Sequence, residues 1–189
     1  MSIQTKIVGR DNGQRVDLDF YPTPAYVTEI LLKYHQFEGS IWECACGDGR
    51  MSEVLIKHGY DVVSTDLIDR GYDKRLPKNI DFLLENTKWD NIVTNPPFEL
   101  AYDFMVQGVR LANKCLALLL PIRYLTGKKR AAFYQVTPPP PRLLLFLTKL
   151  TFSEIKIRSW SLLGLFGKRE KEPQKLCGVN RCIYCLCRL

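Results

Sequence analysis

The sequence predicts an α/β protein with a doubly wound, mostly parallel sheet and helices on both faces. Three observations carry that expectation. Runs of strand length alternate with segments of helical spacing over residues 40–120, which is the pattern of repeated βα units. One run, Cys115 to Leu120, is apolar almost throughout, as in a central parallel strand covered on both sides. A third, Asn91 to Thr94, ends in Asn95-Pro96-Pro97-Phe98. There two prolines stop further ladder pairing and leave a rigid extended turn at a strand's carboxyl end. In an open α/β sheet, ligands bind at that end.

The chain of 189 residues is long enough for one domain with a sizeable core. Its 46% hydrophobic and 25% charged residues match an ordinary globular composition. No apolar run is long enough to span a membrane, and residues Met1 to Arg10 carry no apolar signal region. The expected compartment is therefore a reducing cytoplasm. There the seven cysteines would be thiols or metal ligands rather than disulfides. The net charge of +7 is unevenly placed. Residues 1–95 hold 11 Lys and Arg against 15 Asp and Glu; residues 96–189 hold 16 against 5. The basic half begins at the Pro-Pro turn, and clustered Lys and Arg suit a polyanion partner through counterion release. A solvated basic surface has the same composition.

Taken in order, residues 1–20 are polar, with Asp11-Asn12-Gly13 as a turn, and read as an irregular arm. In Tyr21-Pro22-Thr23-Pro24, Thr23 is placed as an N-cap with Pro24 at the first helical position. Val27, Ile30, Leu31 and Tyr34 then share one helical face. Ser40 to Cys44 reads as a strand, Cys46-Gly47-Asp48-Gly49 as a glycine turn, and Arg50 to Lys57 as a helix with Met51, Val54 and Leu55 toward the core. Tyr60 to Thr65 is a second strand ending at Asp66, and residues 67–78 form a polar loop. Ile80 to Leu84 is a third strand candidate and Ile92 to Thr94 a fourth. Glu99 to Ala112 is helical, and Cys115 to Leu120 is the fifth strand. Beyond a basic loop and the rigid Pro138 to Pro141 stretch, Arg142 to Thr148 is a possible strand and residues 153–176 show weak periodicity. His35 and His58 fall at surface or helix-end positions, and Trp42 in the core.

The first strand and its turn, Glu43-Cys44-Ala45-Cys46-Gly47-Asp48-Gly49, have chemical content. Two glycines permit positive φ and close approach of a ligand to the backbone. Asp66 follows 17 residues after Gly49, at the end of the next strand. That is the layout of a nucleoside-binding half, in which the acid accepts from ribose hydroxyls; a purely structural tight turn would have the same glycines. The three-glycine dinucleotide fingerprint is absent, and Glu43 and Asp48 would repel a pyrophosphate. An acidic turn suits a cationic or uncharged cofactor, such as a sulfonium with an amino-acid tail. The Asn-Pro-Pro-Phe turn taken alone is also compatible with a proline-rich loop whose aromatic packs inward.

Three parts in this chain order, Tyr21-Pro22-Thr23-Pro24, Glu43 through Gly49, and Asn95-Pro96-Pro97-Phe98, give the sequence its family likeness. Over roughly residues 20–150 it resembles the class I S-adenosylmethionine-dependent DNA adenine-N6 methyltransferases, in particular the short phage-type members. The resemblance implies a Rossmann-like catalytic domain at residues 1–150, acting in a bacterial host cytoplasm. It implies S-adenosyl-L-methionine as cofactor, bordered by Glu43, Gly47 and Gly49, with Thr23 contacting its carboxylate and Tyr21 also among the cofactor-binding residues. Asp66 would accept from its ribose, and Asp81 with Phe82 would contact its adenine. Asn95 and Pro96 would hold the target amino group, on the rigid backbone that Pro97 completes, and Phe98 would stack on the target base. Such a turn suits the task. Two acceptors binding the amino hydrogens favour a pyramidal nitrogen whose lone pair faces the methyl group, so positioning and electrostatics supply the rate without a metal. An aromatic ring offsets part of the cost of extruding a base. The same four residues occur in enzymes that methylate guanine N2 in RNA or glutamine in proteins.

DNA is the expected partner. Arg123, Lys128, Lys129 and Arg130 follow the fifth strand at the edge of the proposed site, where they suit phosphate contacts or a solvated loop. Residues 151–189 form an atypical basic segment containing Cys177, Cys182, Cys185 and Cys187. These are incidental thiols or, less regularly spaced than a standard knuckle, a zinc set. The family sheet closes with an antiparallel hairpin, and residues 153–189 match that pattern poorly. Cys182 to Cys187 is a candidate replacement strand. Failing that, the chain would be an impaired, methyltransferase-fold nucleic-acid-binding protein.

Overall fold

Alternate residues of the parallel strands face opposite sides of the sheet, and both sets are apolar, so the sheet must be covered twice. A computed structural model of the chain describes Phe20 and residues 22–76, 79–121, 142–146, 152–156 and 181–187, with side chains for Phe20, 22–76 and 79–120. On one face Ile41 of β1 (Ile41–Glu43), Val93 of β3 (Trp89–Thr94) and Cys115, Ala117 and Leu119 of β4 (Ala112–Pro121) pack under α1 (Ala25–Tyr34) and α2 (Arg50–Lys57). On the other, Trp42, Ile92, Leu116, Leu118 and Leu120 pack against Phe104, Met105 and Leu111 of α3 (Ala101–Leu111). The helices thus lie on both faces, as the alternation required.

With β2 (Val62–Ser64), β5 (Arg142–Phe146), β6 (Phe152–Lys156) and β7 (Arg181–Cys187), the strands form one seven-stranded sheet in the order β2-β1-β3-β4-β7-β5-β6. The first four strands pair in parallel. β7 then pairs antiparallel with β4 from Cys115–Cys187 to Pro121–Arg181, and β5 pairs antiparallel with both β7 and β6. The sheet therefore takes strands from both sides of the boundary expected between residues 150 and 151. The segment Cys182 to Cys187 does supply a strand beside β4.

Several expectations need correction. Thr23 does not cap α1. The N-cap position falls on Pro24, without a side-chain cap bond, because the Thr23 hydroxyl accepts from Asn95 Nδ2 at 3.0 Å instead. Ile80 to Leu84 is not a strand; Phe82–Leu84 is a 3-10 turn. Asp81 accepts from the Leu83 N–H at 3.0 Å, and that local bond competes with a sheet ladder. The Phe82 ring is drawn into the core between Trp42 and Phe104, with centroids 5.3 and 4.6 Å away. The helix expected from Glu99 starts with a 3-10 turn, Phe98–Leu100, before α3, and β6, Phe152–Lys156, takes in the first four residues of the weakly periodic stretch. Helix α2 has the bounds expected of it, with Met51, Val54 and Leu55 buried. His35 and His58 sit at the carboxyl ends of α1 and α2. Among the described residues no helix is long and apolar enough to cross a membrane.

Candidate cofactor and target site

The strand order places a switch point beside β1. The chain passes from β1 outward to β2, then crosses back to β3 on the other side of β1. The helix after β1 lies on one face and the helix after β3 on the other, so a crevice opens between the carboxyl ends of these two strands. The glycine turn, Asp66 and the Asn-Pro-Pro-Phe turn all leave the sheet at this edge.

Gly47 and Gly49 adopt φ of 57° and 82°, a left-handed conformation that costs little only without a Cβ. The turn is tied to the next strand twice: the Cys46 N–H donates to the Thr65 carbonyl at 3.0 Å, and the Gly47 N–H donates to Asp66 Oδ2 at 2.8 Å. Asp66 Oδ1 accepts from the Ile68 N–H at 2.9 Å. Each carboxylate oxygen has a second acceptor site, so these bonds fix the carboxylate in place and leave it chemically able to accept a ribose hydroxyl. The close approach that the glycines permit is used by two rings of this chain. A Cβ on Gly47 would strike Phe20, and one on Gly49 would strike Tyr72. Neither aromatic was singled out from the sequence. Tyr72 is a lone aromatic in a polar loop, six residues after Asp66, and that was the available signal.

Glu43 ends β1 on the α2 side. It is buried, and the Ser52 hydroxyl donates to its Oε2. Ser64, on β2, shares a 2.6 Å hydrogen bond with the same Ser52 hydroxyl. Burial pushes the Glu43 carboxyl up to about 8; Asp66 and Asp48 add to the rise, against the hydrogen bond from Ser52. Glu43 thus supports the glycine turn from beneath. Burial also drives the Cys46 thiol up to about 12 and that of Cys44 well above its ordinary range. Neither is a thiolate nucleophile.

Asn95 follows β3, and the donor end of its amide is held by Thr23. This bond brings together the Tyr-Pro-Thr-Pro and Asn-Pro-Pro-Phe segments, 72 residues apart, and sets which way the amide points. Thr23 and Pro96 are buried, and Pro97 and Phe98 are half-buried. The Leu100 N–H donates to the Pro97 carbonyl at 3.0 Å, which turns the chain into α3. Asp81 lies at the mouth of β2, where the Ile80 N–H donates to the Asp66 carbonyl at 3.0 Å. Phe82 does not stand beside it as a ligand contact: its ring is 2% exposed and belongs to the core. Tyr21 and the basic residues Arg123, Lys128, Lys129 and Arg130 lie outside the described residues, as does Cys177.

The residues fit a ribose-bearing ligand. Asp48 and Asp66 both lie close enough to Glu43 to raise its carboxyl, and Asp48 is itself paired with Arg50 at 2.8 Å. The Thr23 hydroxyl, whose oxygen accepts from Asn95, keeps an O–H to donate.

No family model matches the chain, and no curated protein matches its sequence. Its fold does match solved structures. A protein from Pyrococcus horikoshii, provisionally described as an RNA methyltransferase, aligns with TM-score 0.54 and 14% identity over 98% of this chain and 94% of its own. The modification subunit of a provisionally assigned type I restriction enzyme from Vibrio vulnificus aligns with TM-score 0.56 and 13% identity, covering 89% of this chain and 44% of that one. TrmN from Thermus thermophilus gives 0.51 and 15%, over 87% and 49%. The chain has the class I methyltransferase fold.

Proposed function

We propose that this protein transfers a methyl group from S-adenosyl-L-methionine to the N6 amino group of adenine in DNA. The observation that carries the reading is the Asn95–Thr23 hydrogen bond at the switch point. It fixes an amide and a buried proline at the end of β3, next to the glycine turn that follows β1 and two strands from the acid that follows β2. When bound, the cofactor supplies an electrophilic methyl group on a positively charged sulfur. Gly47, Gly49, Asp66, Asp81 and Thr23 are the groups that would hold it, with Glu43 supporting the turn.

On the target side, the Asn95 amide oxygen and the Pro96 carbonyl accept the two amino hydrogens. Both acceptors sit on backbone stiffened by Pro96 and Pro97, so little orientational freedom remains to be lost on binding. Phe98 offers a ring against which an extruded base stacks. The chain leaves β4 at this same edge toward Arg123, Lys128, Lys129 and Arg130, and the half of the chain that follows β3 carries the positive charge. Both features support a nucleic-acid target, and phosphate contacts from those side chains are part of the proposal.

The test is transfer of label from methyl-labelled cofactor to unmethylated DNA, with RNA and protein offered in parallel. Label recovered as N6-methyladenine in DNA is the expected result. Label in RNA or protein alone would keep the reaction and replace the target. DNA binding with no transfer to any substrate would leave a nucleic-acid-binding protein of this fold.

A further inference from the structure

The loop after β2 is fastened over the glycine turn by side chains that the proposed function has not used. Tyr72 is 8% exposed although it lies in a polar loop. Its ring lies so close to Gly49 that a Cβ there would come within 2.3 Å of it. Its hydroxyl donates to Glu53 Oε1 at 2.8 Å, on the first turn of α2. Lys74 from the same loop pairs with Glu53 at 2.7 Å. Further along, buried Arg75 pairs with Asp69 at 2.9 Å, and the Arg70 guanidinium lies 4.2 Å from the centroid of Phe20, the ring that covers Gly47. The loop beginning at Asp66 therefore reaches both glycines, through Tyr72 directly and through the Arg70–Phe20 stack.

We propose that Tyr72 is a positioning residue of the cofactor seat. Packed on Gly49 and clasped to α2 through Glu53, it holds the glycine turn and the Asp66 loop at a fixed spacing. The physical reason is rigidity. Two left-handed glycines in one short turn give a backbone with wide freedom, while a ligand spanning Gly47 and Asp66 needs both at one distance. A flat ring wedged against Gly49 removes that freedom before the ligand arrives, so less ordering remains to oppose binding. The ring's packing on Gly49 sets the spacing; the bond to Glu53, which Lys74 also pairs with, adds a tether that the packing does not require.

This inference rests on the cofactor assignment above, and its test separates the two. Binding of S-adenosylmethionine and of its demethylated product to the full chain is measured by titration calorimetry, with thermal melting alongside. Tyr72→Ala should weaken both ligands by at least about tenfold, while Tyr72→Phe, which keeps the ring, stays within about threefold of the parent. Should Tyr72→Ala fail to fold, Tyr72→Leu keeps apolar bulk without a flat ring and carries the same expectation. A folded Ala or Leu variant that binds within about twofold of the parent, whatever its melting temperature, overturns the positioning role and leaves the cofactor assignment standing. A parent chain that binds neither ligand overturns both.

Discussion

At the scale of single residues, Asn95 and Glu43 do opposite things with similar chemistry. Asn95 is polar, neutral and half-buried at a strand end, and Thr23 aims its amide. Replacing it with alanine removes both the aimed acceptor and the tie to Thr23. Asn95→Ala should therefore reduce methyl transfer by at least about a hundredfold, comparable to loss of an oriented dipole at a reacting centre. Cofactor affinity should stay within about threefold; full activity in the variant would show that the turn is not the target clamp. Glu43 is a carboxyl that folding holds neutral, since burial raises it to about 8. The consequence for stability has a definite sign. Between the ordinary carboxylate range and pH 8, the folded chain keeps a proton that the unfolded chain has released. Stability from this group is thus fully present below about pH 4.5 and is lost as pH rises through 8, at about 1.4 kcal/mol per pH unit. Glu43→Gln, which has no proton to lose, should flatten the fall in stability between pH 5 and 8 by about that slope in denaturant titrations. An unchanged pH profile would mean that Glu43 is charged in the folded protein.

At the scale of elements, the contact between α3 and β4 shows what a glycine inside a helix is for. Gly108 is buried, and a Cβ there would come within 2.6 Å of Leu116 Cδ1 and 2.9 Å of Cδ2. Leu116 is fully buried in β4. Intrinsic propensity favours alanine over glycine in a helix by about 1 kcal/mol, but inserting a methyl group into a packed core costs about 1–3 kcal/mol. The difference favours the clash, so Gly108→Ala is expected to lower the unfolding free energy by up to about 2 kcal/mol; a stabilised variant would show that Leu116 has room to move. Elements of this kind were legible in the sequence where one pattern dominated. Helix α2 has unbroken helical spacing, and β4 contains the continuous apolar run Cys115 to Leu120. Elsewhere a local polar group redirected the chain. Asp81 spends its carboxylate on the Leu83 N–H, which turns an expected strand into a 3-10 turn. Thr23 gives its hydroxyl to a residue distant in sequence rather than to the helix beside it. At the site, Asn95, Gly47, Gly49 and Asp66 stand out in the sequence because each falls just after a strand-length run, and all four lie at the carboxyl edge of the parallel strands. Ser52, Ser64, Phe20 and Tyr72 do not, because their roles exist only once α2, β2 and the loop after β2 are brought together.

At the scale of the whole molecule, everything depends on how the sheet is completed beyond β4. A class I sheet that stopped at β4 would leave the backbone donors and acceptors of a long strand, apolar from Cys115 to Leu120, open at an edge, a template for aggregation. β7 covers that edge over seven consecutive partners, from Cys115–Cys187 to Pro121–Arg181. Among the described residues, it is the strand through which β5 and β6 join the rest of the sheet. Its central residue, Tyr184, stands opposite Leu118 on one side and Leu143 on the other. Tyr184→Pro removes a ladder donor from a strand that is paired on both sides, where proline has no tolerated place. The expected loss is about 3 kcal/mol or more. It should appear as a lower urea midpoint and as cleavage by protease within residues 142–187 before cleavage within residues 25–111, because the parallel half keeps its own two cores under α1, α2 and α3. Simultaneous loss of both halves in one transition would instead show that the parallel strands depend on β7 for folding. In that event the glycine turn and the Asn-Pro-Pro-Phe turn, though distant from β7 in sequence, could not form without it.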